Sequence, residues 1–379
     1  MNLNSVHLYL HIPFCHQACH YCDFHFSTRL AGKSELVHAL IKEIELQKDY
    51  LGTRDLSTVY FGGGTPSTLS PSELSSIFEA IHQYFDILPG AEITLEANPE
   101  DLTPEYLLVL KELGVNRLSI GIQSFHAANL TFMNRNHDVV QARRSIQDAQ
   151  AIGLSNISID LIYGIPSNSM AMLEEDLAAA VETGVQHISA YSLTIEPKTV
   201  FGHQLKKGLM QETPEENMSA CFEYTHQYLE NQGFTAYETS NFAKAGHESQ
   251  HNSSYWKQES YLGIGPAAHS FNQTTRQWNV ANNATYVKQI SQDIMPAEIE
   301  QLSPENQINE YIMTQLRTHW GIDLNYLKER FATIRVPFPE DEIASWVTSG
   351  YAEISNNQLK LVGKGKLIAD GLSAEIFVL

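Results

Sequence analysis

The cysteines are the first residues whose type and spacing predict chemistry. Three of the four lie in the string HIPFCHQACHYCDF, where Cys15, Cys19 and Cys22 have the spacing C-x3-C-x2-C. Three thiolates on one short loop can hold three irons of a [4Fe–4S] cube and leave the fourth iron without a protein ligand. A small chelating molecule can then bind at that open iron. The three cysteines are therefore predicted to ligate a [4Fe–4S] cluster.

Two other interpretations of this string stay open from the residues alone. Zinc could be bound by the three cysteines with His16 or His20 as the fourth ligand, although structural zinc loops usually carry two separated cysteine pairs. The cysteines could also be coincidental core residues. Cys221 stands by itself in a helical pattern and is predicted to be a core residue.

Glycine and polar residues follow several apolar segments. The string YFGGGTPS contains Gly62, Gly63 and Gly64, which let the backbone approach a bound molecule closely. Glu96, Gln123 and Asp160 each end an apolar run. Polar residues at strand carboxyl ends are the usual functional positions of a β/α barrel. The alternative for each is an ordinary hydrogen bond at a strand end.

The elements that carry these residues alternate between two periods. Apolar, β-branched segments indicate strands at 6–12, 57–62, 91–97, 117–123, 156–164 and 187–193. Helical spacing occupies 34–50, 71–85, 104–113, 139–152 and 170–183. Strands that alternate with helices predict βαβ units and a parallel sheet, hence an α/β fold. Periodicity does not separate a curved six-unit barrel from a flat doubly wound sheet.

The second half of the chain has a different organisation. Residues 195–290 break the alternation, and residues 297–379 predict three helices followed by a hairpin that turns at Asn356-Asn357. We predict a first domain at 1–290, with its core at about 1–200, and a C-terminal helical, winged-helix-like domain at 291–379. This last region holds more acidic than basic residues, which favours an interaction or lid domain over DNA binding.

Length and charge exclude several classes of protein. The chain has 379 residues, which fits two domains, and its formal net charge is −20. Such a charge argues against nucleic acid or an anionic membrane surface as a general partner. No apolar run approaches the roughly 20 residues that span a bilayer, and the start lacks the basic region of a secretory signal. Crowded cysteines without a disulfide pattern predict a cytoplasmic location. The oligomeric state cannot be read from the sequence.

The cysteine spacing after the first predicted strand resembles that of the radical S-adenosylmethionine (SAM) superfamily. This resemblance implies a partial six-unit (β/α) barrel, a [4Fe–4S] cluster, and SAM chelating the open iron. Further strings that match in order are EANP, RLSIGIQSF, MNRNH, DLIYGIP, AYSLTIEPKT, YETSNFA and GIGPAAHSF. Together they resemble the subfamily that contains oxygen-independent coproporphyrinogen III oxidase and its relatives.

The resemblance also implies which residues contact SAM. Positions that match contacts with a first SAM molecule are Tyr9, Gly63 and Glu96. Positions that match contacts with a second molecule in the oxidase are Tyr21, Gly64, Thr65, Gln123, Arg135 and Asp160. Carboxylates would accept hydrogen bonds from ribose hydroxyls or an amino group, and the guanidinium could pair with a carboxylate. Whether one or two molecules bind here stays open.

Two departures from the oxidase pattern argue against that activity. The oxidase carries a fourth cysteine two residues after the third, where this chain has Phe24. It also has a sizeable segment before its cysteines, whereas only fourteen residues precede Cys15 here. Both differences argue against oxidative decarboxylation of coproporphyrinogen III to protoporphyrinogen IX, which is kept as the alternative function.

The string HNSSYW resembles a mark of the HemW-type branch, which is regarded as a group of heme chaperones. It contains His251, Tyr255 and Trp256. Imidazole is an ordinary axial ligand of heme iron, and aromatic side chains pack on a porphyrin. The resemblance implies heme binding through His251, whereas a histidine beside aromatic residues is otherwise more often packed and hydrogen-bonded.

The resemblance thus implies a heme chaperone that binds heme and transfers it to an acceptor protein, with respiratory proteins as candidates. Its cofactors would be a [4Fe–4S] cluster, SAM and heme. A zinc-stabilised binding module is the third possibility.

Overall fold

A computed structural model describes residues 5–166 and 168–378. The strands are β1 (Val6–Ile12), β2 (Asp55–Gly63), β3 (Asp86–Ala97), β4 (Arg117–Gln123), β5 (Ile157–Tyr163), β6 (His187–Ser192), β7 (Thr235–Ala236), β8 (Asn241–Ala243), β9 (Ser260–Ile264), β10 (His269–Phe271), β11 (Thr275–Asn279), β12 (Ala297–Gln301), β13 (Ile322–Asp323), β14 (Ala352–Ser355) and β15 (Gln358–Leu361).

The helices are interspersed with these strands along the chain. They are α1 (Lys33–Leu46), α2 (Pro71–Tyr84), α3 (Pro104–Glu112), α4 (Ala127–Phe132), α5 (Val139–Ala151), α6 (Met170–Glu182), α7 (Val200–Lys206), α8 (Glu215–Asn231), α9 (Gln250–Trp256), α10 (Asn283–Ile290), α11 (Pro304–Gln315), α12 (Leu324–Ile334), α13 (Glu340–Thr348) and α14 (Ala369–Glu375).

Six parallel strands in sequential order form the centre of the large sheet. Strand β1 pairs with β2, and each following strand pairs with the next as far as β6. A doubly wound sheet would reverse its strand order at a switch point, whereas a sequential order is that of a barrel. Strand β9 pairs with the outer edge of β1, and β8 pairs with that of β6. The α/β prediction with a partial six-unit barrel is confirmed.

The helix starts follow the capping signals in the sequence. Ser70 accepts a hydrogen bond from the Glu73 amide, and the Glu73 carboxylate accepts one from the Ser70 amide, so α2 begins with a capping box. Thr103 caps α3 by accepting a hydrogen bond from the Tyr106 amide, with a proline at the first helical position. These caps fix where each helix leaves the strand before it.

The C-terminal elements have a hydrophobic core of their own. That cluster runs from Ile308 to Val378 and includes residues of α11, α12, α13 and the small sheet β13–β15–β14. The hairpin turns at Asn356 and Asn357, both at positive φ, as a tight hairpin requires. Strand β12 lies beyond position 290 and still pairs with β11 of the large sheet. The domain boundary at 290/291 stays a prediction.

A buried carboxylate joins α1 to the strands outside β1. Glu43 accepts hydrogen bonds from the Gly265 amide at 2.8 Å, the Asn279 amide group at 2.6 Å and the Tyr286 hydroxyl at 2.5 Å. Burial nevertheless raises the pKa of Glu43 to about 7, so desolvation of the charge outweighs these donors. Within the described residues, no helix is long and apolar enough to cross a membrane.

Replacing Glu43 with alanine should lower the free energy of unfolding by about 3 kcal/mol, because buried donors lose their acceptor. The raised pKa means that the fold prefers protonated Glu43. The stabilisation that protonated Glu43 gives the fold is complete below about pH 4.3, the pKa of a free glutamate. It is lost as the pH rises towards 7.

Urea unfolding between pH 5 and 8 tests this, and the stability difference between wild type and Glu43→Ala should shrink as the pH rises. The control is Glu45→Ala on the same helix, whose carboxylate pairs with Lys42 at the surface. A difference that does not change with pH would contradict the titration of Glu43.

Candidate functional site

A cavity of about 530 Å³ opens at the carboxyl ends of the parallel strands. The residues predicted from the sequence that line it are Cys15, Cys19, Tyr21, Cys22, Gly63, Gly64, Thr65, Glu96, Gln123, Arg135 and Asp160. Tyr9 and His251 do not line it. The fold therefore gathers most of the predicted positions around one space, although their roles stay predictions.

The cysteine loop is held by the turn after α4. The Gln17 side chain donates to the Asn134 carbonyl at 2.9 Å, and the Asn134 side chain donates to the Ala18 carbonyl at 2.7 Å. His20 donates through Nδ1 to the Phe132 carbonyl at 3.0 Å. Through these reciprocal bonds, the string MNRNH anchors the cysteine loop, a role that its sequence does not reveal. They place the thiols at the cavity rim.

Two polar side chains point at sulfur. Thr65 Oγ1 donates to Cys15 Sγ at 3.3 Å, and Arg135 Nη1 donates to Cys19 Sγ at 3.3 Å. Burial raises the pKa of Cys15 to about 11 and that of Cys22 to about 12. Since metal ligation requires thiolates, binding iron here would release these protons. The two donors would then stabilise the sulfur charge.

A second Arg135 nitrogen, Nη2, lies 2.8 Å from both the Asn98 side-chain oxygen and the Gly121 carbonyl. A side chain at Gly121 would lie 2.9 Å from the Gln123 amide and 3.2 Å from the guanidinium. Gly121 therefore makes room for the arginine. The sequence analysis did not single out Asn98 or Gly121, whose only signal was their presence in the matched strings.

The histidines beside the cysteines have other partners. His16 lies 3.2 Å from an Asp101 carboxylate oxygen, and His20 bonds to the backbone. In the two stretches that the structure describes, no three His, Cys, Asp or Glu side chains converge as they would around a single metal ion. Thiolates of a [4Fe–4S] cube bind separate irons and lie farther apart than the ligands of one zinc ion. The donor set fits a cluster better than zinc.

Two half-buried carboxylates, Glu96 and Asp160, face the cavity. Tyr60 donates its hydroxyl to Glu96 at 2.7 Å. Burial raises the pKa of Glu96 to about 7 and that of Asp160 to about 6. Neither has a Lys, Arg or His within ion-pair distance in the described part of the chain. Two such acceptors fit a ligand that brings hydroxyl or ammonium donors, as SAM does.

The glycine turn at the end of β2 packs against the backbone that leads into the cysteine loop. Gly63 has a φ of 112°, and a side chain there would meet the His11 ring at 2.8 Å. A Cβ at Gly64 would lie 2.8 Å from the Phe14 carbonyl oxygen, one residue before Cys15. Gly64 therefore allows a close approach between the turn and the backbone of the cysteine loop, and Gly63 makes room for the His11 ring.

Tyr9 and His251 lie deeper in the barrel. The Tyr9 ring stacks on Tyr60 at 6.0 Å, and its hydroxyl bonds to His11 at 3.1 Å. His251 is 1% exposed, and its two ring nitrogens bond to Thr58 and Tyr255. The structure thus brings His251 to the inner wall below the cavity.

Gly64→Ala should lower the melting temperature and loosen the cysteine loop, because the methyl group cannot displace backbone cheaply. Overpacking of this kind costs about 1–3 kcal/mol. Thermal unfolding and limited proteolysis near residues 15–27 measure the effect. The control is Gly371→Ala in α14, where a methyl group meets no atom within 4 Å. Equal melting temperatures for Gly64→Ala and wild type would contradict this packing.

The chain is similar to known proteins over most of its length. Residues 9–180 match the family model described as Radical SAM superfamily. The protein named heme chaperone HemW from Bacillus subtilis is 35% identical over 367 residues, which cover 96% of each chain. The protein of the same name from Escherichia coli is 37% identical over 71% of each chain.

Among solved structures, coproporphyrinogen III oxidase (HemN) from Escherichia coli, a radical SAM enzyme, superposes with a TM-score of 0.83. That match covers 98% of this chain and 89% of the oxidase at 23% identity, so it shows the shared fold. Membership of the radical SAM superfamily implies a [4Fe–4S] cluster and SAM. The extent and identity of these matches show that this chain belongs to the radical SAM superfamily and, within it, to the family of proteins named heme chaperone HemW.

Proposed function

We propose that this protein is a heme chaperone, which binds heme and transfers it to an acceptor protein. The observation that carries the proposal is the 35% identity to a heme chaperone over 96% of both chains. A match of that extent includes the C-terminal region as well as the barrel. The acceptor, with respiratory proteins as candidates, and a cytoplasmic location are parts of the same proposal.

The cluster ligands in this proposal are Cys15, Cys19 and Cys22. They share one loop at the cavity rim, and the loop is held by the turn at Phe132–Asn134. The donors from Thr65 and Arg135 reach two of the three sulfurs. The cluster would supply an iron with an open position beside the cavity.

SAM would bind in the same cavity. Glu96 and Asp160 would accept hydrogen bonds from its hydroxyl or ammonium groups, and the glycine turn would lie along its methionyl group. The other proposed contacts are Tyr21, Gly63, Gly64, Thr65, Gln123 and Arg135. Tyr9 would act through its contact with Tyr60, since its own side chain does not line the cavity.

Phe24 favours the chaperone over the oxidase. It stands where the oxidase pattern has a fourth cysteine, lines the cavity and is 74% exposed. Tyr191 lines the same cavity and is also exposed. Exposed aromatic rings at the mouth of a cavity suit a flat apolar ligand such as a porphyrin.

Cys19→Ala should abolish the iron–sulfur absorption while the barrel stays folded, because the loop is anchored by bonds that do not involve the thiols. Iron and sulfide analysis after anaerobic reconstitution measures this, and circular dichroism reports the fold. Cys221→Ala is the control, since that thiol lies outside the cavity and beside Met170. Normal iron and sulfide in Cys19→Ala would remove the cluster assignment.

Heme titration should show a saturable Soret change at about one heme per chain, and incubation with an apo-acceptor should move that heme. Coproporphyrinogen III supplied anaerobically with SAM and reductant should not be converted to protoporphyrinogen IX. Many turnovers per protein would replace the proposed chaperone with the oxidase. Absence of saturable heme binding would also overturn the proposal.

A further inference from the structure

Helix α9 contains the HNSSYW string and lies against the amino-terminal half of the barrel strands. Glu92 in β3 accepts hydrogen bonds from the backbone amides of Gln250 and His251, both at 3.0 Å. It also accepts one from the Ser249 hydroxyl at 3.3 Å. Since Glu92 is buried, α9 is fixed by a carboxylate inside the barrel wall.

His251 is one member of a buried chain of hydrogen bonds. Its Nδ1 lies 2.6 Å from Thr58 Oγ1, which lies 2.9 Å from His7 Nδ1. His7 Nε2 lies 2.8 Å from a Glu259 carboxylate oxygen. At the other end, His251 Nε2 lies 2.8 Å from the Tyr255 hydroxyl. Four successive bonds thus connect Glu259 to Tyr255, and the His251 ring makes two of them.

Both nitrogens of the His251 ring are occupied whichever way the protons lie along this chain. An imidazole nitrogen and a hydroxyl can each donate or accept, so the tautomers set the order of donors but not the pairing. Thr58 engages Nδ1 of His251 and Tyr255 engages Nε2. Burial lowers the pKa of His251 well below its usual value, consistent with a neutral ring.

A heme ligand does not fit this arrangement. An iron-binding imidazole needs a nitrogen lone pair that faces the metal, and here Nδ1 faces Thr58 and Nε2 faces Tyr255. The Tyr60 ring stacks on the imidazole at 4.9 Å, and the Tyr255 ring meets it edge-on at 4.9 Å. At 1% exposure His251 leaves no space for a porphyrin.

The ring contacts lead instead to the cavity. The rings of Tyr60, His251 and Tyr9 contact one another in a three-membered cluster, with centroids 4.9 Å apart for Tyr60 and His251, 6.0 Å for Tyr60 and Tyr9, and 6.3 Å for Tyr9 and His251. The Tyr60 hydroxyl donates to Glu96 at 2.7 Å, and Glu96 lines the cavity. An imidazole fixed at both nitrogens therefore holds the face of Tyr60, which in turn orients the carboxylate.

We propose that His251 is a positioning residue, held by Thr58 and Tyr255, that orients Tyr60 and Glu96 for SAM, and that it does not ligate heme iron. This inference rests on the proposed function, because it assumes that the cavity binds SAM. Thr58, His7 and Glu259 belong to the same hydrogen-bonded network. The prediction that His251 contacts heme is the competing alternative.

The variants His251→Phe and Thr58→Val separate the two roles. The first keeps an aromatic ring on Tyr60 and removes both hydrogen bonds, and the second removes one hydroxyl at nearly constant shape. Thr58→Ser restores the hydroxyl and serves as the rescue. His82→Phe, at an exposed position in α2, is the matched control. Each is reconstituted anaerobically, and its fold and iron content are checked.

The dissociation constants for SAM and for heme are then measured on each protein, together with the Soret spectrum. His251→Phe and Thr58→Val should weaken SAM binding about tenfold, the effect of misplacing one hydrogen bond to a charged group. Thr58→Ser and His82→Phe should match wild type. Heme affinity and the Soret band should stay unchanged throughout.

Weaker heme binding or a shifted Soret band in His251→Phe would overturn the inference, whatever happens to SAM. Unchanged SAM affinity in both variants would overturn it as well. If His251→Phe does not fold, the Thr58 pair decides: weakening by valine with rescue by serine supports the inference, and equal affinities overturn it. Wild-type protein that binds no SAM would instead remove the cofactor assignment of the proposed function.

Discussion

The common direction of six adjacent strands is the constraint on which the rest of this structure depends. Because β1 to β6 are parallel, all of their carboxyl ends meet at one rim and all of their amino ends at the other. The first rim holds the cysteine loop, the glycine turn and the polar strand ends. At the second, α9 covers the interior, fixed there by Glu92. One end of the barrel is thus open to ligands and the other is filled by the chain itself.

The acidic character of the chain reaches into its interior. Glu43, Glu92 and Glu96 each lie in or against the barrel wall, and among the residues that the structure describes none of them has a close, well-aligned lysine or arginine partner. The nearest ion pair, between Glu92 and Arg117, is 3.8 Å long. Backbone amides and hydroxyl groups do most of the solvation instead. Two of these carboxylates join elements together, whereas the third faces the cavity and can accept a ligand.

Much of this could be predicted from the sequence, because strand and helix periods are local properties. The six strands and the helix starts at Ser70 and Thr103 lie where pattern and capping chemistry put them. The convergence of Glu96, Gln123 and Asp160 followed from strand direction. What could not be predicted were contacts between distant segments, such as Gly64 under the Phe14 carbonyl. Nothing in the string GGG tells whether the nearby atoms belong to a ligand or to the protein.

The string HNSSYW shows the same limit in a sharper form. Its histidine, tyrosine and tryptophan are residue types that suit both a porphyrin and a protein interior, and only their partners distinguish the two. Thr58 and His7, which are those partners for the imidazole, stand far away in the sequence and have no distinctive pattern of their own. The covering of the inner barrel by α9 therefore became visible only in three dimensions.

The anchoring of the cysteine loop has a consequence for how a cluster would be gained and lost. The Gln17, His20 and Asn134 bonds order the loop through groups other than the three thiols. Most of the conformational entropy of the loop is already lost in the folded chain. Oxidative loss of the inorganic part would leave the three thiols where they were. Rebuilding the cluster would then require iron and sulfide but no refolding of the cysteine loop.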